Sequence, residues 1–174
     1  MIMSRTLVIH PSDRSTDFLK LIYKDKDYDV ISERKDLTRP KLLKAIKEHD
    51  KIIMLGHGTP YSLIYTPIDN TFGDLLRTKE TITIWCNSDM YAIRNRLKGF
   101  HTGMIISEVT EAQYMLGEAP LNAKETLENM ELFSKVVGEC IEQTPREMQK
   151  YILEKYVGED KVTQFNRSRI MVFD

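Results

Sequence analysis

Lys51-Ile-Ile-Met-Leu-Gly-His-Gly-Thr-Pro60 and Thr81-Ile-Thr-Ile-Trp-Cys-Asn-Ser-Asp89 are the two stretches on which the fold turns. The first gathers Ile52, Ile53, Met54 and Leu55 into a short apolar block that stops at Gly56-His57-Gly58. A block this short, bounded by Gly and Pro, predicts a strand buried on both faces, as in parallel sheets covered by helices. The second is rich in β-branched residues, ends at Cys86 and passes at once into polar Asn87, Ser88 and Asp89. It predicts a strand running into a helix start. Open parallel sheets bind ligands outside the carboxyl ends of their strands, where the loops converge. His57 and Cys86 are therefore expected on one edge. If their strands are neighbours, about 4.8 Å apart, an imidazole and a thiol face each other, and that pair is the minimal apparatus of thiolate attack.

Working outward, Thr6–Ile9 predicts a first strand, and His10-Pro-Ser-Asp-Arg-Ser15 a polar loop after it. A helix from Ser15 or Thr16 is expected to bury Phe18, Leu21 and Ile22. A second strand is expected at Tyr28–Ser32. A helix after Thr38, with Pro40 in its first turn, carries an apolar stripe of Leu42, Leu43 and Ile46. Strand, helix, strand, helix, strand implies βαβ units with right-handed crossovers. Residues 59–80 are broken by Thr59-Pro60 and Thr66-Pro67 but are too apolar for a plain linker, which points to a flap or short hairpin beside the site. Ser88 is placed to cap a helix with Met90, Ile93 and Leu97 on its apolar face, stopped by Gly99. A fifth strand is expected at Thr102–Ser107 and a short helix over Thr110–Gly117. The carboxyl third is helical in pattern. Leu127, Met130, Phe133, Val137 and Ile141 repeat at helical spacing, Thr144-Pro-Arg-Glu147 is a capping box, and Met148, Ile152 and Tyr156 line the helix that follows. Arg169–Phe173 is suited to return as an edge strand. The fold class is thus α/β, a three-layer sandwich around a mainly parallel sheet.

A chain of 174 residues supports one well-buried core, so residues 1–174 are read as a single domain. Its 25 basic and 26 acidic residues leave a net charge of −1 spread along the length, which disfavours nucleic acid and anionic membranes as partners. Two cysteines, Cys86 and Cys140, are too few for a disulfide framework and fit a reducing compartment. The amino terminus, Met1 to His10, has no leader-like apolar run, and no stretch approaches the ~20 apolar residues of a membrane span. Cytoplasmic localisation is the expectation. No GxGxxG, P-loop or GxSxG occurs, so no cofactor is implied. His10, His57 and Cys86 all end strands on one edge, but no CxxC or HxxxH spacing supports a metal among them.

An apolar strand ending in His-Gly, followed one unit later by an apolar strand ending in Cys, resembles the caspase-like (clan CD) cysteine peptidases: caspases, metacaspases, legumains, gingipains, separases and CHAT domains. The likeness covers roughly residues 5 to 107. It implies a caspase-like α/β fold, with His57 as the catalytic histidine, Cys86 as the nucleophile and the backbone N–H of Gly58 in the oxyanion hole. It also implies that Arg14, in the loop after the first strand, binds an acidic side chain of a peptide or protein substrate. Trp85 stands where these families often carry Ala, Asn87 follows where caspases have Gly, and His57 precedes Cys86 by only 29 residues.

The activity so implied is a cysteine endopeptidase with a Cys86–His57 dyad. The alternative is a catalytically silent caspase-like domain acting as a binding or regulatory module, which the missing Ala-Cys and Cys-Gly features favour. Each residue also has an ordinary explanation. Free Cys is among the most buried residue types, a His between glycines can be a turn residue, and a loop Arg can simply be solvated. Asn87 and Asp89 are read as capping the next helix rather than orienting His57. A nucleotide-binding sheet would use the same edge for a phosphate, and the lack of a Gly-rich strand-to-helix turn argues against it. His49 and His101 lie in polar surroundings and are given no role.

Overall fold

The computed structural model describes residues 3–174; the first two residues of the amino-terminal stretch lie outside them. Its sheet has six strands in the order β2-β1-β3-β4-β5-β6. These are β1 (Thr6–Ile9), β2 (Asp29–Ile31), β3 (Lys51–Leu55), β4 (Glu80–Ile84), β5 (Gly99–Thr102) and β6 (Ile170–Phe173). The first five run parallel, and β6 returns antiparallel to β5 to form an edge. The chain is α/β, with the mostly parallel sheet that the two apolar runs predict.

Every residue of β3 is buried, and its side chains alternate between two cores. Ile53 and Leu55 meet Val8, Ile82, Ile84 and Phe100 under α5 (Ala123–Cys140) and α6 (Pro145–Lys155). Ile52 and Met54 meet Leu7, Ile9, Leu42 and Ile46 on the side of α1 (Arg39–Lys47), α2 (Gly73–Leu76) and α3 (Ser88–Asn95). Helices on both faces make β3 the centre of three layers. Each such side chain withdrawn from water contributes about 1.5–3 kcal/mol. The helical carboxyl third also contains α7 (Lys161–Arg167), and α4 (Val109–Leu116) precedes it. Both halves of the Thr144–Glu147 capping box are formed, and Met148, Ile152 and Tyr156 are buried as their spacing implies.

Four local expectations are corrected. The element after β1 is a 3-10 helix over Arg14–Ile22, not an α-helix, so burial recurs every third residue at Thr16, Leu19 and Ile22. Phe18 and Leu21, expected inside, are only partly buried. In the helix after β4, Met90 and Ile93 are 42% and 61% exposed rather than inside; Leu97 is buried as expected, and Tyr91 and Ala92 fill the buried face. Leu127, at the outer edge of α5, is also exposed. The fifth strand lies at Gly99–Thr102, earlier than the apolar Met104-Ile-Ile106 run. Gly99 makes that pairing possible, because a Cβ there would stand 1.9 Å from the carbonyl oxygen of Thr81 on β4. Ile105 and Ile106 are buried without pairing: Ile105 lines the cavity at the carboxyl edge, and Ile106 packs with Ala112 and Val162.

Candidate functional site

The register of β3 against β4 ends at the pair Leu55↔Ile84. His57 lies two residues beyond Leu55 and Cys86 two beyond Ile84, so both tips leave the sheet at the same height on adjacent parallel strands. A hydrogen bond of 3.2 Å from the N–H of Gly56 to the carbonyl of Ile84 carries the pairing one step further. His57 and Cys86 both line one small cavity, whose walls include Thr16, Leu19, Ile105 and Ser107. At about 30 Å³ it has room for a water molecule but not for a substrate side chain. Larger surface grooves exist, among them one of about 340 Å³ beside Lys24, Lys26 and Lys135, but that groove holds no nucleophile. Chemistry, not volume, marks the edge at His57.

His57 is held from the loop after β1. Its Nε2 lies 2.6 Å from the Oγ of Ser15, and 3.9 Å from an oxygen of Asp13. Asp13 caps the 3-10 helix, and one of its oxygens accepts both the N–H (2.9 Å) and the hydroxyl (2.8 Å) of Ser15. Those two bonds, with His57 and Arg34 nearby, hold the Asp13 carboxyl below the usual carboxylate range. The carbonyl of His57 accepts from the N–H of Ile64 at 2.9 Å, so residues 57–64 fold as a narrow hairpin bridged at Gly58↔Leu63. The segment read as a flap or hairpin thus begins with a hairpin at the site and continues into a 3-10 turn and α2.

Cys86 sits at a strand-to-helix turn fixed by left-handed backbone at Asn87 (φ 66°), a conformation Asn tolerates better than most residues. Ser88 does not cap α3. It is buried and clasps the ends of β4 and β5, its hydroxyl lying 2.9 Å from the carbonyls of both Thr83 and Thr102. Asn87 occupies the cap position without a side-chain bond, and the Asp89 carboxylate accepts the N–H of Met90. The Cys86 thiol is part-buried and donates to the carbonyl of Ile105 at 3.6 Å. Burial pushes its pKa up, and the carboxylates of Glu111 and Glu108 push the same way against a favourable backbone contact at Ile105. Glu111 is anchored by the N–H of Ser107 at 2.8 Å, and burial raises its carboxyl above the ordinary range. Among the described residues no hydrogen bond links His57 to Cys86 directly. They are two walls of one cavity rather than a formed ion pair.

Gly58 packs beneath the indole of Trp85, which is anchored by a 3.0 Å bond from its Nε1 to the carbonyl of Thr59. The backbone N–H of Gly58 takes no part in the two bonds that close the hairpin. Arg14 is exposed at the start of the 3-10 helix, one residue before Ser15, and does not line the cavity. His10 is drawn inward, its ring nitrogens 2.8 Å from the hydroxyl of Tyr23 and 3.1 Å from that of Thr16. Among the described residues no group of three or more His, Cys, Asp and Glu side chains converges as a metal site.

Asp13, Ser15 and Glu111 were not singled out by the sequence. Asp13-Arg-Ser15 carries a faint signal, an acidic residue two before Ser in the loop of a strand that ends on the same edge. Glu111 carries none, because it reaches the site only through folding. Neither any protein-family model nor any curated protein matches the sequence. What the chain does is read from the site itself.

Proposed function

We propose that the chain is a caspase-like cysteine endopeptidase with Cys86 as nucleophile and His57 as base. One observation carries the reading: an imidazole and a thiol stand at matching height on the tips of adjacent parallel strands and share one cavity at the carboxyl edge of the sheet. In this scheme His57 accepts the thiol proton as Cys86 attacks the peptide carbonyl, and the backbone N–H groups of Gly58 and Cys86 stabilise the oxyanion. One such donor is worth roughly 3 kcal/mol of barrier. His57 returns the proton to the leaving amine, and water then releases the acyl group. The cavity is too small for a substrate side chain, so the peptide lies across the open rim, where Arg14 is available to an acidic side chain. Cys86→Ala should abolish peptide cleavage while leaving thermal unfolding unchanged within a few degrees. Cleavage persisting in that variant removes the mechanism.

A second reading is favoured by the thiol's surroundings. Burial and two carboxylates disfavour the Cys86 thiolate, as expected of a catalytically silent domain whose carboxyl edge serves as a binding or regulatory surface. Reaction with a peptidyl acyloxymethyl ketone separates the two, since an inert structural cysteine does not react at neutral pH.

A further inference from the structure

The loop after β1 brings two side chains to His57 that the dyad alone does not use. Ser15 has a single hydroxyl proton, and two acceptors compete for it: an Asp13 oxygen at 2.8 Å and the Nε2 of His57 at 2.6 Å. Asp13 is a carboxylate and has no proton to give, being held in that form chiefly by its bonds from Ser15. Were the Ser15 proton directed at His57, two bare oxygens would face each other at 2.8 Å, one of them negatively charged. With the proton on Asp13 instead, the Ser15 oxygen offers a lone pair to Nε2. A short contact there then requires hydrogen on Nε2. Which ring nitrogen of a neutral histidine is protonated is set by what the other atoms around it donate or accept.

We infer that Asp13 and Ser15 form a hydrogen-bond relay that fixes neutral His57 as its Nε2–H tautomer, leaving the Nδ1 lone pair as the base of the site. The chain runs His57 Nε2–H to Ser15 Oγ, then Ser15 Oγ–H to Asp13 Oδ1, with the Ser15 N–H holding that same carboxylate oxygen from behind. Among the described residues Nδ1 makes no hydrogen bond, so it is the nitrogen left for a thiol proton. Asp13 and Ser15 are positioning residues that act through His57 and touch no reacting atom. The inference rests on His57 being the base of the proposed peptidase, but its test does not need turnover.

The experiment is long-range proton–nitrogen correlation NMR on the full chain with nitrogen-15 histidine, in which protonated and bare ring nitrogens resonate far apart. His57 is assigned by the signals lost in His57→Gln. At a pH where the ring is neutral, wild type should hold Nε2–H over Nδ1–H by about tenfold or more, the preference that one good hydrogen bond supplies. Ser15→Ala should relax the ratio to the weaker Nε2–H preference of an unpartnered histidine ring. Asp13→Ala frees the Ser15 hydroxyl to donate to Nε2 and should tip the ring toward Nδ1–H, while Ser15→Thr should restore the wild-type pattern. A bare Nε2 in the wild type overturns the relay, whatever the variants do. A His57 spectrum unmoved by Ser15→Ala, in a variant whose His10 and His101 signals are unchanged, overturns it too. If the tautomer is as described and yet Cys86→Ala still cleaves peptides, the relay stands and the peptidase reading falls.

Discussion

The indole of Trp85 fills the space that a side chain at position 58 would need: a Cβ on Gly58 would stand 2.0 Å from its Cδ1. The residue before the candidate nucleophile and the residue after the candidate base are therefore one packing unit. This explains why Trp is accommodated where an Ala would leave a hole. Gly58→Ala must displace either the indole or the hairpin that carries His57, at a cost of about 1–3 kcal/mol for an overpacked core. Trp85→Leu makes room, so the double variant should be more stable than the sum of the two losses implies, by at least ~1 kcal/mol. Urea unfolding of the four proteins measures this; strictly additive losses would show that the contact is not formed.

The thiol of Cys86 is expected to be protonated at neutral pH in the free protein. Burial raises its pKa above the 9.0 of an ordinary cysteine, and Glu111 and Glu108 add to the rise. Alkylation by iodoacetamide follows the thiolate, so its rate should climb only at alkaline pH. Glu111→Gln removes a nearby negative charge and should move the profile to lower pH. Cys140, pushed up to about 12 by burial, should stay silent in the same assay. A Cys86 profile lying below that of a free cysteine contradicts this electrostatic picture.

Two buried histidines outside the site, His10 and His101, should make stability fall in acid. Burial holds His101 down to about 3, and burial with the charge of Lys20 holds His10 down to about 4, against 6.5 when exposed. Below pH 6.5 the unfolded chain takes up both protons and the folded chain takes up neither. Stability is therefore full above 6.5 and falls with pH, approaching ~1.4 kcal/mol per pH unit for each histidine. Between about pH 6 and 4.5 the pair should remove roughly 3 kcal/mol. His101→Phe should halve that slope, whatever it does to stability at pH 7, because it also strands the Thr83 hydroxyl 2.7 Å from the lost Nδ1. Denaturant titrations across this window check it; a flat profile from pH 7 to 5 contradicts it.

How far the sequence could be read follows from which contacts are local. β3 and β4 were legible because continuous apolar runs bounded by Gly and polar residues have few other uses, and the capping box at Thr144 because both its halves lie within four residues. β5 was misplaced because His101, a buried strand residue stacked on Phe173 at 5.5 Å, reads as polar. The Ile105-Ile106 pair reads as a strand but is buried by the fold without a ladder. The buried face of α3 is not legible because it is partly polar: Asn95 and Ser88 are buried with Tyr91 and Ala92, while the more apolar Met90 and Ile93 face outward. At the site, the two strand tips could be read one residue at a time. The Ser15 to His57 contact spans 42 positions and belongs to no motif.

The proposed peptidase requires His57 and Cys86 to act as one site, and the rate of covalent labelling of Cys86 by a peptidyl acyloxymethyl ketone tests that most directly. Wild type should be labelled at Cys86, located by peptide mass spectrometry, and His57→Ala should slow labelling by about 10²-fold or more, the scale of lost general-base help. Labelling at equal rates in the two proteins, or none in either, would contradict a working dyad and leave the carboxyl edge as a binding surface.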